Sequence, residues 1–106
     1  MKNVSDSPKI FKPNKYYIAY YKSLLSISNN PFSLYYITKD KKVRCRAKEE
    51  PEFHCASWTS SGELERHFMY MRNNNGLTGK TILEFNTKEE MQSELDRLFF
   101  IAELVN

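Results

Sequence analysis

The chain has 106 residues, 41% of them hydrophobic and 27% charged. That composition excludes a disordered polymer and gives one domain enough mass for its own core. Sixteen Lys and Arg against thirteen Asp and Glu leave a net charge of +3, and no apolar run reaches the roughly 20 residues that a membrane helix needs.

The charge is uneven along the chain. Residues 1–50 hold eleven basic and four acidic side chains, a net +7, whereas residues 51–106 hold five and nine, a net −4. If the fold keeps the two halves apart, one side of the molecule faces anions. Lys, Asn, Ile, Phe and Tyr are frequent and Gly, Ala and Pro scarce, the usage of an A+T-rich genome such as many phages and low-GC bacteria carry.

In chain order, residues 1–14 contain Pro8 and Pro13 and no apolar signal-peptide core. They read as a flexible tail before a single domain over residues 15–106, and the protein reads as cytoplasmic. "KYYIAYYKSLLSI" is a strand with apolar bulk on both faces, and "FSLYYIT" resumes after Asn29–Asn30–Pro31. Residues 39–42, "KDKK", suit a four-residue hairpin loop, followed by a basic strand, a turn at "EEPE" and a strand "FHCASW".

The period then changes. Ser60 with Glu63 opens a helix over "SSGELERHFMYMRNNN" in capping-box spacing, with Leu64, Phe68 and Met71 on one face and His67 beside them. "KTILEF" is a short strand, and Thr87 with Glu90 opens a second helix whose inner face carries Met91, Leu95, Leu98, Ala102 and Val105. The order β-β-β-β-α-β-α implies an α+β domain, a mostly antiparallel sheet with both helices on one face and the other face open.

The stretch "KKVRCRAK" carries the main candidate site. Lys42, Arg44, Arg46 and Lys48 alternate with Val43, Cys45 and Ala47, so the four cations share one strand face. A turn centred on Glu50 would set Cys45 against Cys55 inside, and Arg46 against His54 and Lys42 against Trp58 outside. A loop at 39–42 would set Tyr36 beside Cys45 inside, and Tyr35 beside Arg46 outside. The expected surface is therefore Lys42, Arg44, Arg46, Lys48, His54, Trp58 and Tyr35.

Cations interleaved with rings suit single-stranded nucleic acid, where charge follows phosphates and rings stack on bases, or an acidic protein. A second copy of the chain is a further candidate partner. A solvated strand produces the same stripe, because two charges about 6.6 Å apart in water repel by only about 0.6 kcal/mol.

Catalytic readings are weaker. Cys45, Cys55 and His67 are ligand types that zinc accepts, but no fourth ligand and no paired spacing accompany them, so no metal or other cofactor is expected. Arg46 beside His54 is the only constellation for a nuclease. "GLTGKT" lacks the first glycine of a phosphate loop and precedes a strand rather than a helix. The expectation is a small non-enzymatic binding protein, a phage or mobile-element accessory factor, that docks on a macromolecular partner and modulates or inhibits it. Single-strand or RNA binding is the alternative, and nuclease activity the second alternative.

Overall fold

The computed structural model describes residues 1–21, 31–55, 60–74 and 80–105, without the side chains of 71–74 and 103–105. Six strands and two helices follow in the order β1 (Lys2–Asn3), β2 (Tyr16–Tyr21), β3 (Phe32–Ile37), β4 (Val43–Arg46), β5 (His54–Cys55), α1 (Ser61–Asn74), β6 (Lys80–Phe85) and α2 (Lys88–Val105). They form one six-stranded sheet in the order β1-β6-β2-β3-β4-β5, with every neighbouring pair antiparallel. The α+β class and the succession of elements agree with the sequence reading, to which the structure adds β1.

The helices do not share a face. Tyr17, Ala19, Ile37, Val43 and Ile82 point to one side of the sheet and pack with Leu64 and Phe68 of α1. Ile18, Tyr20, Phe32, Leu34, Leu83 and Phe85 point to the other and pack with Met91, Leu95 and Leu98 of α2. The cause lies in β2. "YYIAYY" buries four consecutive residues, two on each face, and a strand apolar on both sides needs a cover on both sides. No wholly open sheet face remains.

The N-terminal residues are not a loose tail. Lys2 and Asn3 pair with Glu84 and Leu83 at the edge of β6, and Val4, Ile10 and Phe11 join the core beneath α1. The segment is held by polar contacts as well. Glu65 Oε2 accepts the backbone N–H groups of Ile10 (3.1 Å) and Phe11 (3.4 Å), and the hydroxyl of Tyr17 accepts that of Lys12 (2.7 Å) and donates to Glu84 (2.9 Å). Covering this side of the sheet takes more apolar surface than α1 alone supplies, and residues 4–11 supply the rest.

Both helix starts are capped as the sequence indicates. Ser60 Oγ accepts from Glu63 N–H at 3.2 Å and Thr87 Oγ1 from Glu90 N–H at 3.1 Å, satisfying N–H groups that have no partner inside the helix. Ser61 N–H also donates to the carbonyl of Lys41 (2.8 Å), which ties the start of α1 to the tip of the β3–β4 hairpin.

Candidate functional site

The hairpin tip sets the register of the basic strand. Thr38 and Lys42 close the turn through Thr38 N–H to the Lys42 carbonyl and Lys41 N–H to the Thr38 carbonyl, both 2.9 Å. Lys41 adopts a left-handed backbone with φ 64°. The loop is thus three residues with a left-handed third position, not four. Each partner moves by one: Tyr36 faces Arg44, Tyr35 faces Cys45 and Leu34 faces Arg46. On the far side the slip repeats, with Arg44 opposite Cys55 and Cys45 opposite His54.

A one-residue slip exchanges faces. Tyr35, expected beside the cations, turns to the α1 side and packs against Phe11 (5.8 Å between ring centroids) and Phe68 (6.2 Å). Its half-burial pushes the hydroxyl's pKa up, and a bond with Ser33 pulls the other way. His54 also lies off the Arg46 face. It is exposed and contacts the Glu50 carboxylate, so the expected Arg46–His54 neighbours do not meet. Cys45 and Cys55 are free thiols on opposite faces, and His67 is exposed on α1 rather than inward. Among the described residues no cluster of three metal-ligating side chains forms. Trp58 lies outside the described residues.

The four cations do share a face, but it is the α2 side of the sheet, and they part in role. Arg46 is buried at 8% exposure. Its Nη1 donates to the carbonyls of Ala47 (3.3 Å), Lys48 (3.1 Å) and Glu50 (2.7 Å), and its Nη2 donates to Gln92 of α2. The guanidinium thereby shapes the 47–50 loop and fastens it to the helix. Lys48 lays its ammonium 3.4 Å from the ring centroid of Phe99 in α2. Both groups serve the fold. Lys42, exposed, and Arg44, half-exposed, remain at the surface.

Beside Arg44 the slip brings rings that the sequence reading placed elsewhere. Tyr16 and Tyr36 are cross-strand partners and stack with centroids 4.5 Å apart at 29°. Phe53 meets them at 5.6 Å and 6.1 Å and lies 5.4 Å from the Arg46 guanidinium carbon. All three rings are half-buried, and Tyr16 and Phe53 pack against the edge of the core beneath α2. Burial raises the pKa of the Tyr16 hydroxyl, helped by nearby Tyr36 and Glu89.

The corner made by Tyr16, Tyr36, Phe53, Arg44 and Lys42 offers flat π surface beside a guanidinium fork, able to stack on planar groups and take a carboxylate or phosphate in two hydrogen bonds. Tyr16, Tyr36 and Phe53 escaped the sequence reading because loop length decided it. Left-handed third positions usually announce themselves as Gly or Asn, and Lys41 gives no such signal. No described helix is long and apolar enough to cross a membrane. Comparison of the chain with protein-family models, curated proteins and solved structures finds no match.

Proposed function

We propose that this chain is a small non-enzymatic binding protein that docks on an acidic protein inside the cell, through the corner of Tyr16, Tyr36, Phe53, Arg44 and Lys42, and modulates or inhibits that partner. The observation that carries the reading is the stacked Tyr16–Tyr36 pair left half-exposed beside Arg44. Tyr and Arg are enriched among the residues that dominate binding energy, and half-buried rings give up little side-chain entropy on docking. The A+T-rich residue usage supports an origin in a phage or mobile element.

The test is capture of partner from host extract with the wild-type chain and with the Tyr36→Ser/Arg44→Glu variant, followed by calorimetry on the captured protein. The expected result is one acidic partner whose affinity falls at least about 30-fold in the variant, the loss of roughly 2 kcal/mol that a hot-spot residue carries. Equal affinity of the two chains would sink the proposal.

Single-stranded nucleic acid is the second reading, favoured by the same rings beside two cations. With Arg46 and Lys48 committed to the fold, at most two phosphates meet Lys42 and Arg44. The log–log salt slope would then be about −1.4 for a single strand. Anisotropy of labelled RNA and DNA across a salt series reads it directly.

A further inference from the structure

We propose that Cys45 and Cys55 form a reversible disulfide through a one-residue slip of β5, and that the slip dismantles the Tyr16–Tyr36–Phe53 corner. The consequence for docking rests on the function proposed above; the disulfide itself does not.

Both cysteines are free, Cys55 exposed and Cys45 half-buried. They lie on paired strands one register step apart, Cys45 opposite His54 and Cys55 opposite Arg44. Their side chains therefore leave opposite faces of the sheet, Cys45 on the α1 side with its partner Tyr35 and Cys55 on the α2 side with Arg44. With the Cβ atoms pointing apart, no disulfide can close in this register. Moving β5 by one residue along β4 sets Cys55 directly opposite Cys45 and turns it to the same face. Opposed residues on antiparallel strands have Cα atoms about 4.5–5.5 Å apart, inside the ~4.4–6.8 Å that a disulfide spans.

Little within β5 fixes its register. It has two residues, lies at the outer edge of the sheet and exposes both side chains, so no buried face selects one pairing over the next. The contact of His54 with Glu50 and the ring of Phe53 hold it. Phe53 packs on Tyr16 (5.6 Å) and Tyr36 (6.1 Å). It lies beside Arg46 as Cys55 lies opposite Arg44, so the two side chains share a face and change faces together. A slip that brings Cys55 to Cys45 thus carries Phe53 off the α2 side and away from both tyrosines. The Sγ–Sγ bond replaces those ring contacts, and the corner loses one of its three rings.

The oxidant is a low-molecular-weight disulfide. The exposed Cys55, as thiolate, attacks one sulfur of glutathione disulfide and releases one glutathione. The Cys45 thiolate then attacks Cys55 Sγ, forms the Sγ–Sγ bond and releases the second. Two electrons pass from the cysteines to the glutathione pair, and the two thiol protons end on the released glutathiones. Excess glutathione reverses both steps. A transient, redox-sensing bond is the kind of disulfide that reducing compartments contain.

The experiment equilibrates the full chain, without air, in buffers of rising glutathione disulfide, and reads intact mass, a peptide map and ring-to-ring NMR contacts. The expected product is a monomer lighter by two hydrogens, with Cys45 linked to Cys55. Its Phe53 contacts to Tyr16 and Tyr36 should be lost and should return on reduction. Cys45→Ser should stop at a glutathione adduct on Cys55 and keep those contacts. A wild-type chain that stops at that adduct, or links through Cys55 into a dimer, would overturn the proposal. So would an internal disulfide that leaves Phe53 in place. None of these measurements needs a partner. With the captured partner in hand, oxidation should lower its affinity at least about 30-fold; unchanged affinity with Phe53 displaced would refute the docking role of the corner and leave the disulfide standing.

Discussion

Arg46 illustrates how one side chain can look like a binding residue in sequence and be structural in the fold. Its hydrogen bonds to the carbonyls of Ala47, Lys48 and Glu50 and to Gln92 all go to neutral acceptors, and its buried Nε finds none among the described residues. Removing it leaves loop carbonyls and Gln92 unsatisfied. Arg46→Ala should therefore cost roughly 2–4 kcal/mol in urea denaturation, whereas Arg44→Ala should stay within about 0.5 kcal/mol. Equal, small effects would return Arg46 to the surface stripe.

Tyr17 makes the second residue-scale prediction. It is fully buried between Lys12 N–H and Glu84, and its pKa is raised, chiefly by burial, with Glu84 adding to the effect. The folded state therefore keeps this proton after the unfolded chain has lost it. The associated stability is complete below the ordinary tyrosine value of about 10 and is lost as pH climbs above it. Tyr16, Tyr20, Tyr21 and Tyr35 are shifted in the same direction, so denaturation midpoints should fall steeply on the alkaline side. Tyr17→Phe should visibly flatten that limb, since Tyr17 carries the largest shift. An unchanged slope would place the alkaline sensitivity elsewhere.

At the scale of elements, the β3–β4 hairpin controls the site. Its tip holds Lys41 at φ 64°, a conformation that costs an L-residue with a Cβ roughly 1 kcal/mol. Lys41→Gly relieves that strain and should raise stability by about 0.5 kcal/mol after the added freedom of the unfolded chain is counted. The reverse result would mean the Lys41 side chain makes a compensating contact. Because the same tip bonds Ser61 at the start of α1, the hairpin also fixes where that helix begins. Helix caps, the described strands and the inward positions Leu64, Phe68, Met91, Leu95, Leu98 and Ala102 were legible here, since alternation and i, i+3, i+4 spacing are local; Met71, Val105 and the expected strand residues 56–58 lie outside what is described. Register was not, because it turns on one loop residue whose type gives no sign of its backbone angle.

Across the whole molecule, the N-terminal segment and β6 interlock. β6 lies between β1 and β2, so the basic and acidic halves of the chain are woven together rather than held apart, and the expected charge separation shrinks to a basic hairpin end with Lys39, Lys41, Lys42 and Arg44. Deleting residues 1–12 removes Val4, Ile10 and Phe11 from the core. At ~1.5–3 kcal/mol for each buried side chain, the loss should exceed about 4 kcal/mol, a large part of an ordinary domain's 5–15 kcal/mol. Denaturant titration of the truncated chain checks this; retention of full stability would restore the tail.

The sequence by itself determined which segments are strands and helices, where the helices start, and that Lys42, Arg44, Arg46 and Lys48 share a face, because each follows from hydrogen-bonding and periodicity within a few residues. Only the tertiary structure decided the rest. It put the helices on opposite faces, since β2 is apolar on both. It folded residues 2–11 into the core, since α1 leaves apolar surface uncovered. It turned Tyr36 rather than Tyr35 to the face of Arg44 and Arg46, since a three-residue loop shifts every partner by one. Contacts between residues far apart in the chain, which no local pattern encodes, made Arg46 a strut and left the Tyr16–Tyr36 pair half-exposed.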